Sequence, residues 1–221
     1  MAKGRKKAKR PTRRKQTLTK KQLQQRNQAL IVVGLLACLL ALPLARVQLA
    51  DWLNKVPGVG RVNQVKWPSQ EDFIISVGEY AQSRYPKTQI LPSIVTAQAI
   101  LESDFGQSDL AYYYNNLFGR KAQSFDRSVS LPTQEFVDGE FITINDYFKV
   151  YHNWQDSVDD HAALMHRGVD WNPDLYQALI GERDYRLAAQ ALQAAGYATD
   201  PGYADKLITT IETYNLARFD P

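Results

Sequence analysis

Cysteine is nearly absent from this chain: Cys38 is the only one in 221 residues. A single thiol excludes a disulfide framework and a cysteine zinc cluster. Also missing are a His-Glu-x-x-His pair, a phosphate-binding glycine loop and a dinucleotide fingerprint, so metal and nucleotide chemistry have no motif to rest on. The reading is of a protein with no cofactor and no metal site. His161 and His166 are five apart, a poor helical match to a metal pair, and no carboxylate completes a site around them or around His152. Acid is absent from residues 1–28, which carry 12 Lys/Arg, whereas the rest of the chain holds 15 basic and 23 acidic residues, a net −8. The overall charge of +4 therefore belongs to a tail. An acidic body argues against a nucleic-acid-binding surface.

What the chain does have is one long apolar run, 17 residues from Ala29 to Ala45. As a helix it would be about 26 Å long, short for a hydrocarbon core of about 30 Å. Arg46 can snorkel, Val47, Leu49 and Ala50 extend the apolar length, and Trp52 suits the interface. The basic run ahead of it places the amino terminus in the cytoplasm and all that follows outside. A retained signal anchor is the favoured reading. A signal peptide cut after Ala45 and a lipoprotein cut before Cys38, where Leu-Leu-Ala-Cys resembles a lipobox, are the alternatives. The expected organisation is a basic cytoplasmic tail (1–28), a transmembrane signal anchor (29–45), a membrane-proximal stem (46–68) and an extracytoplasmic domain (69–221). The expected location is the cell membrane, crossed once.

At 44% hydrophobic and 23% charged residues, the domain has the composition of a folded core. Ser69 opens a helix with Asp72 as its capping-box partner, and Phe73, Ile74, Val77, Tyr80 and Ala81 follow helical spacing. A second helix starts near Pro92 and runs through Ile94, Ala97, Gln98 and Leu101 to Glu102, with Gly106 ending it or the turn beyond. Gln134–Val137, Asp138-Gly139 and Glu140–Ile144 predict a hairpin with a type I′ turn, Phe136 facing Phe141 and Glu135 facing Ile142. Helical patterns return at Ser157–Arg167, Leu175–Ile180, Asp184–Ala195 and Asp200–Leu216. Gly196 suits a carboxyl cap and Asp200-Pro201 the next amino cap. The fold class is α+β, mostly helical, with a small β-hairpin lobe.

Glu102, closing an apolar helix, is the strongest catalytic candidate. A carboxyl group against apolar walls keeps its proton near neutral pH, as a general acid must. Glycosidic oxygens leave poorly unless protonated, so glycosidases place such an acid beside them. On spacing alone a glutamate near a helix end reads as a solvated surface charge.

The segment Ala97-Gln98-Ala99-Ile100-Leu101-Glu102-Ser103-Asp104-Phe105-Gly106-Gln107-Ser108, followed by Asn115-Asn116-Leu117-Phe118-Gly119, resembles glycoside hydrolase family 73. These are peptidoglycan endo-β-N-acetylglucosaminidases with a lysozyme-like fold. The resemblance continues through Thr133-Gln134-Glu135-Phe136, Ser157-Val158-Asp159-Asp160-His161 and Ala195-Gly196-Tyr197-Ala198-Thr199-Asp200-Pro201-Gly202-Tyr203-Ala204 with Lys206. Each motif is weak alone; five in order are specific. Phe105 stands where the family often has Trp, and Arg120-Lys121 where it more often has an aliphatic residue and Lys.

The resemblance implies that Glu102 is the catalytic acid, that Glu135 is the candidate second carboxylate, and that Tyr197 lines the active site and orients the acetamido group or attacking water. It marks Asn115, Asn116 and Phe118 as groove-lining and Tyr203 as substrate-binding. The structural alternatives are an exposed cross-strand Glu135, a core Tyr197, and a tight turn held by the two asparagines over a core Phe118. In Tyr112, Tyr113 and Tyr114 at least one ring is core, and Tyr113 is a candidate sugar platform. Trp154 and Trp171 read as core, the three histidines as structural or surface residues, and Asp159 and Asp160 as capping or pairing within their helix. The implied partners are peptidoglycan glycan strands and the membrane, with wall-synthesis or division proteins as further candidates and no nucleic acid. The rivals are a lytic transglycosylase, which usually carries Gly-Leu-Met-Gln where Asn-Leu-Phe-Gly stands here, and a non-catalytic glycan-binding scaffold.

Overall fold

The computed structural model describes residues 67–137 and 140–221, with the side chains of 134–142 outside the description. The basic tail, the apolar run Ala29–Ala45, Cys38, most of the stem and the Asp138-Gly139 turn lie outside the described residues. Among the described residues, no helix is long and apolar enough to cross a membrane.

The architecture is mostly helical. In order come α1 (Gln70–Thr88), α2 (Pro92–Ser103), α3 (Asp109–Tyr114), β1 (Ser128–Val137), β2 (Glu140–Lys149), α4 (Trp154–Arg167), a 3-10 turn (Gln177–Leu179), α5 (Tyr185–Ala194), α6 (Tyr203–Thr213) and a last 3-10 turn (Leu216–Phe219). Helix α2 is the axis of the core. Apart from Gln98 its sequence is apolar or small on every side, and it is buried on every side, from Pro92 through Ile100. Helix α1 lays Phe73, Ile74, Val77 and Ala81 against it, and α5 and α6 add Ala188, Leu192, Leu207 and Ile211. Ser69 caps α1 through the Asp72 amide, 3.1 Å away. Gly78 is needed where it is, because a Cβ there would overlap the Phe219 ring.

The sheet is one antiparallel pair, with Phe136 opposite Phe141 and Glu135 opposite Ile142, the register the hairpin pattern predicts. It is longer than predicted, because Ser128–Thr133 and Asn145–Lys149 continue the ladder with polar outward residues. Beneath its root Leu110, Tyr113, Tyr114, Phe148 and Val150 form a second, smaller apolar cluster.

Other differences have local causes. Residues 175–180 make a single 3-10 turn rather than a helix. Asp200 does not cap α6. Its carboxylate instead accepts the Gly202 amide at 2.8 Å, an Asx turn that delays the helix to Tyr203. The final helix stops at Thr213 and resumes as a 3-10 turn. Trp154 is core, whereas Trp171 is 46% exposed on a tight turn between Val169 and Asn172.

Candidate active site

Helix α2 delivers Glu102 to the interior at its last turn. Beyond it Asp104, Phe105 and Gly106 take left-handed conformations in succession, with φ of 50°, 53° and 74°. Ser103 steadies this reversal: its hydroxyl donates to the Ala99 carbonyl and accepts the Gly106 amide at 2.8 Å. A Cβ on Gly106 would overlap the Trp67 ring, so only glycine lets Trp67 close over the turn.

Glu102 is 8% exposed. Among the described residues one hydrogen bond reaches it, Tyr203 Oη donating to Oε1 at 3.0 Å. Burial lifts its pKa to about 8, and the tyrosine bond pulls the other way. Its place at the carboxyl end of α2, the negative pole of the helix dipole, also favours the neutral form. Glu102 thus holds its proton at neutral pH.

A series of buried aromatic side chains leads away from it, beginning with Tyr203 and Tyr197. Tyr197 stacks on Tyr203 (5.6 Å, 24°) and meets His161 edge-on at 5.7 Å and Tyr176 at 6.2 Å. His161 lies flat on Phe118, 4.0 Å away and 3° from parallel. Burial and the neighbouring Glu102 push the Tyr197 and Tyr203 hydroxyls well above the ordinary phenol range. The hydroxyls of Tyr176 and Tyr197 and Nδ1 of His161 are buried without a hydrogen-bond partner among the described residues. Such groups are rare in folded interiors and cost about 1–3 kcal/mol each, so three gathered around Tyr197, the neighbour of the acid, mark a site rather than ordinary core.

The structure brings Glu102, Tyr197 and Tyr203 together and gives other candidates different work. Asn115 donates to the carbonyls of Tyr151 and His152, at 3.4 and 3.1 Å. Asn116 donates to the carbonyls of Arg120 and Lys149 and accepts the Arg120 amide, each at 2.9 Å. Their amides are spent on backbone and staple the β-lobe to the helical body, so they are not groove-facing contacts. Phe118 is fully buried under His161, the core alternative rather than a groove-lining ring, and Tyr113 packs into the small cluster beneath the sheet, which removes it as a sugar platform. Glu135 lies in β1 opposite Ile142, and its side chain is outside the described residues.

Asp160 pairs across elements rather than within its helix. It accepts the Tyr151 hydroxyl at 2.7 Å and meets Arg120 and Lys149 at 3.4 Å each. Burial works against its charge, but these partners hold its carboxyl below the usual range. Asp159 likewise binds Arg84 of α1 at 2.8 Å. Among the described residues, no group of three His, Cys, Asp or Glu side chains is gathered closely enough to hold a metal ion.

Three residues of this neighbourhood escape sequence reasoning: Gln98, His161 and Tyr176. Gln98 has a readable signal, since it lies one turn before Glu102 on the same face of an otherwise apolar helix. His161 closes one of the quoted motifs, and Tyr176 has no signal at all.

Comparison with known proteins bears on the same segments. The sequence model described as "Glucosaminidase: Mannosyl-glycoprotein endo-beta-N-acetylglucosaminidase" matches residues 78–216. The exo-glucosaminidase LytG of Bacillus subtilis (strain 168) is 42% identical over 82% of this chain and 64% of its own. The peptidoglycan hydrolase FlgJ of Vibrio parahaemolyticus is 35% identical over 65% of this chain and 47% of its own. The chain thus spans less than two thirds of either relative. Among solved structures, the catalytic domain of the autolysin Auto from Listeria monocytogenes superposes with a TM-score of 0.64 at 32% identity, covering 83% of this chain and all of that one.

Proposed function

The chain belongs to the glucosaminidase family, glycoside hydrolase family 73, and on that footing we propose that it hydrolyses the β-1,4 bond after N-acetylglucosamine in peptidoglycan strands. The observation that carries the reading is the state of Glu102: buried, bonded once, its pKa near 8, and walled by tyrosines. In the proposed reaction Glu102 gives its proton to the glycosidic oxygen as the bond to the anomeric carbon breaks. Either water adds to that carbon and loses its proton to Glu135, or the substrate's acetamido oxygen first bonds the anomeric carbon and water then displaces it, losing its proton to the Glu102 carboxylate left by the first step. Tyr197 and Tyr203 position the sugar and the acid. A carboxylate separation of about 6.5–9.5 Å would suit the inverting course through Glu135.

The apolar run Ala29–Ala45 is proposed to tether the enzyme to the cell membrane, domain outwards, with the basic residues 1–28 on the cytoplasmic face. Tethering raises the local concentration of an acidic enzyme near an anionic wall, which its charge alone would oppose. Wall-synthesis or division proteins are the proposed neighbours at that location.

The test uses the full chain, wild type and Glu102→Gln, on purified peptidoglycan, followed by borohydride reduction and mass spectrometry of the new ends. Reduced N-acetylglucosamine ends that vanish with the variant are expected. Anhydro-muramic ends would replace the reading with a lytic transglycosylase, and glycan binding without new ends with a scaffold. Release of single disaccharides rather than longer fragments would make the action exo, as the name of the Bacillus relative states for that protein.

A further inference from the structure

Gln98 and His161 are fully buried polar side chains to which neither the fold nor the proton donation above assigns a role. Resting on the reading of Glu102 as the acid, we propose that they are positioning residues whose one-way hydrogen-bond chain fixes which oxygen of Glu102 carries the transferred proton. Gln98 Oε1 lies 3.0 Å from His161 Nε2, Gln98 Nε2 lies 3.4 Å from Tyr203 Oη, and Tyr203 Oη lies 3.0 Å from Glu102 Oε1.

The direction follows from what each atom can do. An amide oxygen only accepts and an amide nitrogen only donates. His161 must therefore carry its hydrogen on Nε2, and Tyr203, already receiving a hydrogen from Gln98, turns its own O–H to Glu102. With Oε1 occupied by a donor, the acid's proton resides on Oε2. Burial holds the His161 pKa near 3, so the ring stays neutral and owns one hydrogen, consistent with the partnerless Nδ1. Bonds aligned in series polarise one another, so the far end of the chain is felt at Glu102.

The groups facing Glu102 are Tyr203 on α6 and Tyr197 on the loop before it, with His161 on α4 and Tyr176 reached through Tyr197. The charged pair Arg120–Asp160 (3.4 Å) lies within electrostatic reach of His161. If His161 is removed, Gln98 can turn its oxygen to Tyr203. The tyrosine then donates away from Glu102, whose ionised form loses its one donor among the described residues.

The test compares His161→Phe and His161→Gln in the full chain. Phenylalanine keeps the flat ring on Phe118 and removes the Nε2 donor. A packing role would leave rate and pH profile unchanged. The chain predicts that His161→Phe lowers kcat about tenfold with KM within about twofold, and that the basic limb of the profile moves up by as much as about one pH unit. His161→Gln, which restores a donor, should recover most of both. A readout independent of activity is the nitrogen NMR of histidine-labelled protein, where His161 should be the neutral Nε2–H tautomer from pH 5 to 8. A Nδ1–H tautomer, or a His161→Phe variant with wild-type rate and limb, would overturn the proposal. Cleavage by Glu102→Gln in the same assay would instead overturn the acid assignment and leave the tautomer result standing.

Discussion

At the amino end of α2 the Asp220 carboxylate receives the Ser93 amide at 2.8 Å and the Ser93 hydroxyl at 2.7 Å. At the other end, nine residues or about 14 Å along the helix, Glu102 receives one tyrosine hydroxyl. Burial raises the pKa of both carboxyls, and in both the hydrogen bonds oppose it. The difference lies in depth of burial, since Asp220 is only partly buried, in the number of donors and in the pole of the helix. Asp220 sits where the free amides and positive dipole end welcome a negative charge, and Glu102 where neither helps. Deep burial, few donors and the negative end of a helix together make a carboxyl into a proton donor.

The contrast breaks most severely at Glu102 itself. Glu102→Gln should cut turnover by at least about a thousandfold while remaining folded. It should also flatten a pH dependence. The folded pKa of about 8 lies above the ordinary 4.5, so between those values the native state keeps a proton that the unfolded chain gives up. Wild-type stability should fall across that window relative to the variant, by up to roughly 4–5 kcal/mol. Urea midpoints of the two proteins at pH 4.5 and pH 8 read this directly, and parallel curves would contradict the raised pKa.

Asp220→Ala should do the reverse, removing about 1–3 kcal/mol of stability with turnover per folded molecule nearly unchanged. A large loss of kcat in fully folded protein would show that the two ends are coupled. Tyr203→Phe sharpens the contrast by taking away the last donor. Because that bond favours the ionised acid, its loss should carry the basic limb of the rate profile to higher pH, by as much as about one unit. Tyr176→Phe should have the smallest effect, a stability gain of up to about 1 kcal/mol on removal of an unpartnered buried hydroxyl, read by calorimetry.

Much of the site's chemistry is readable in the chain because it is local. Glu102 closes an apolar helix, and the hairpin register follows from alternating residues around Asp138-Gly139. The asparagines are harder. Asn115 and Asn116 are turn formers whether their amides face a ligand or the backbone, and only the fold reveals that Lys149 and Tyr151 supply their partners. Tyr113 looked like a platform because the underside of the hairpin root could not be foreseen. Six residues are too few for α3 to show a period. Gln98 and His161 stand 63 residues apart in the chain and meet only through the packing of α4 on α2.

The family match covers residues 78–216, yet both ends of the helix that carries the acid are held by residues outside that range. Trp67 closes over Gly106 just past Glu102, and Asp220 binds Ser93 at the opposite end, with Phe219 seated against Gly78. A fragment cut at the limits of the family match would keep every motif and lose both fastenings. A fragment that keeps the acid's helix fastened at both ends therefore has to include Trp67 and Asp220, a tryptophan and an aspartate that lie outside the family match.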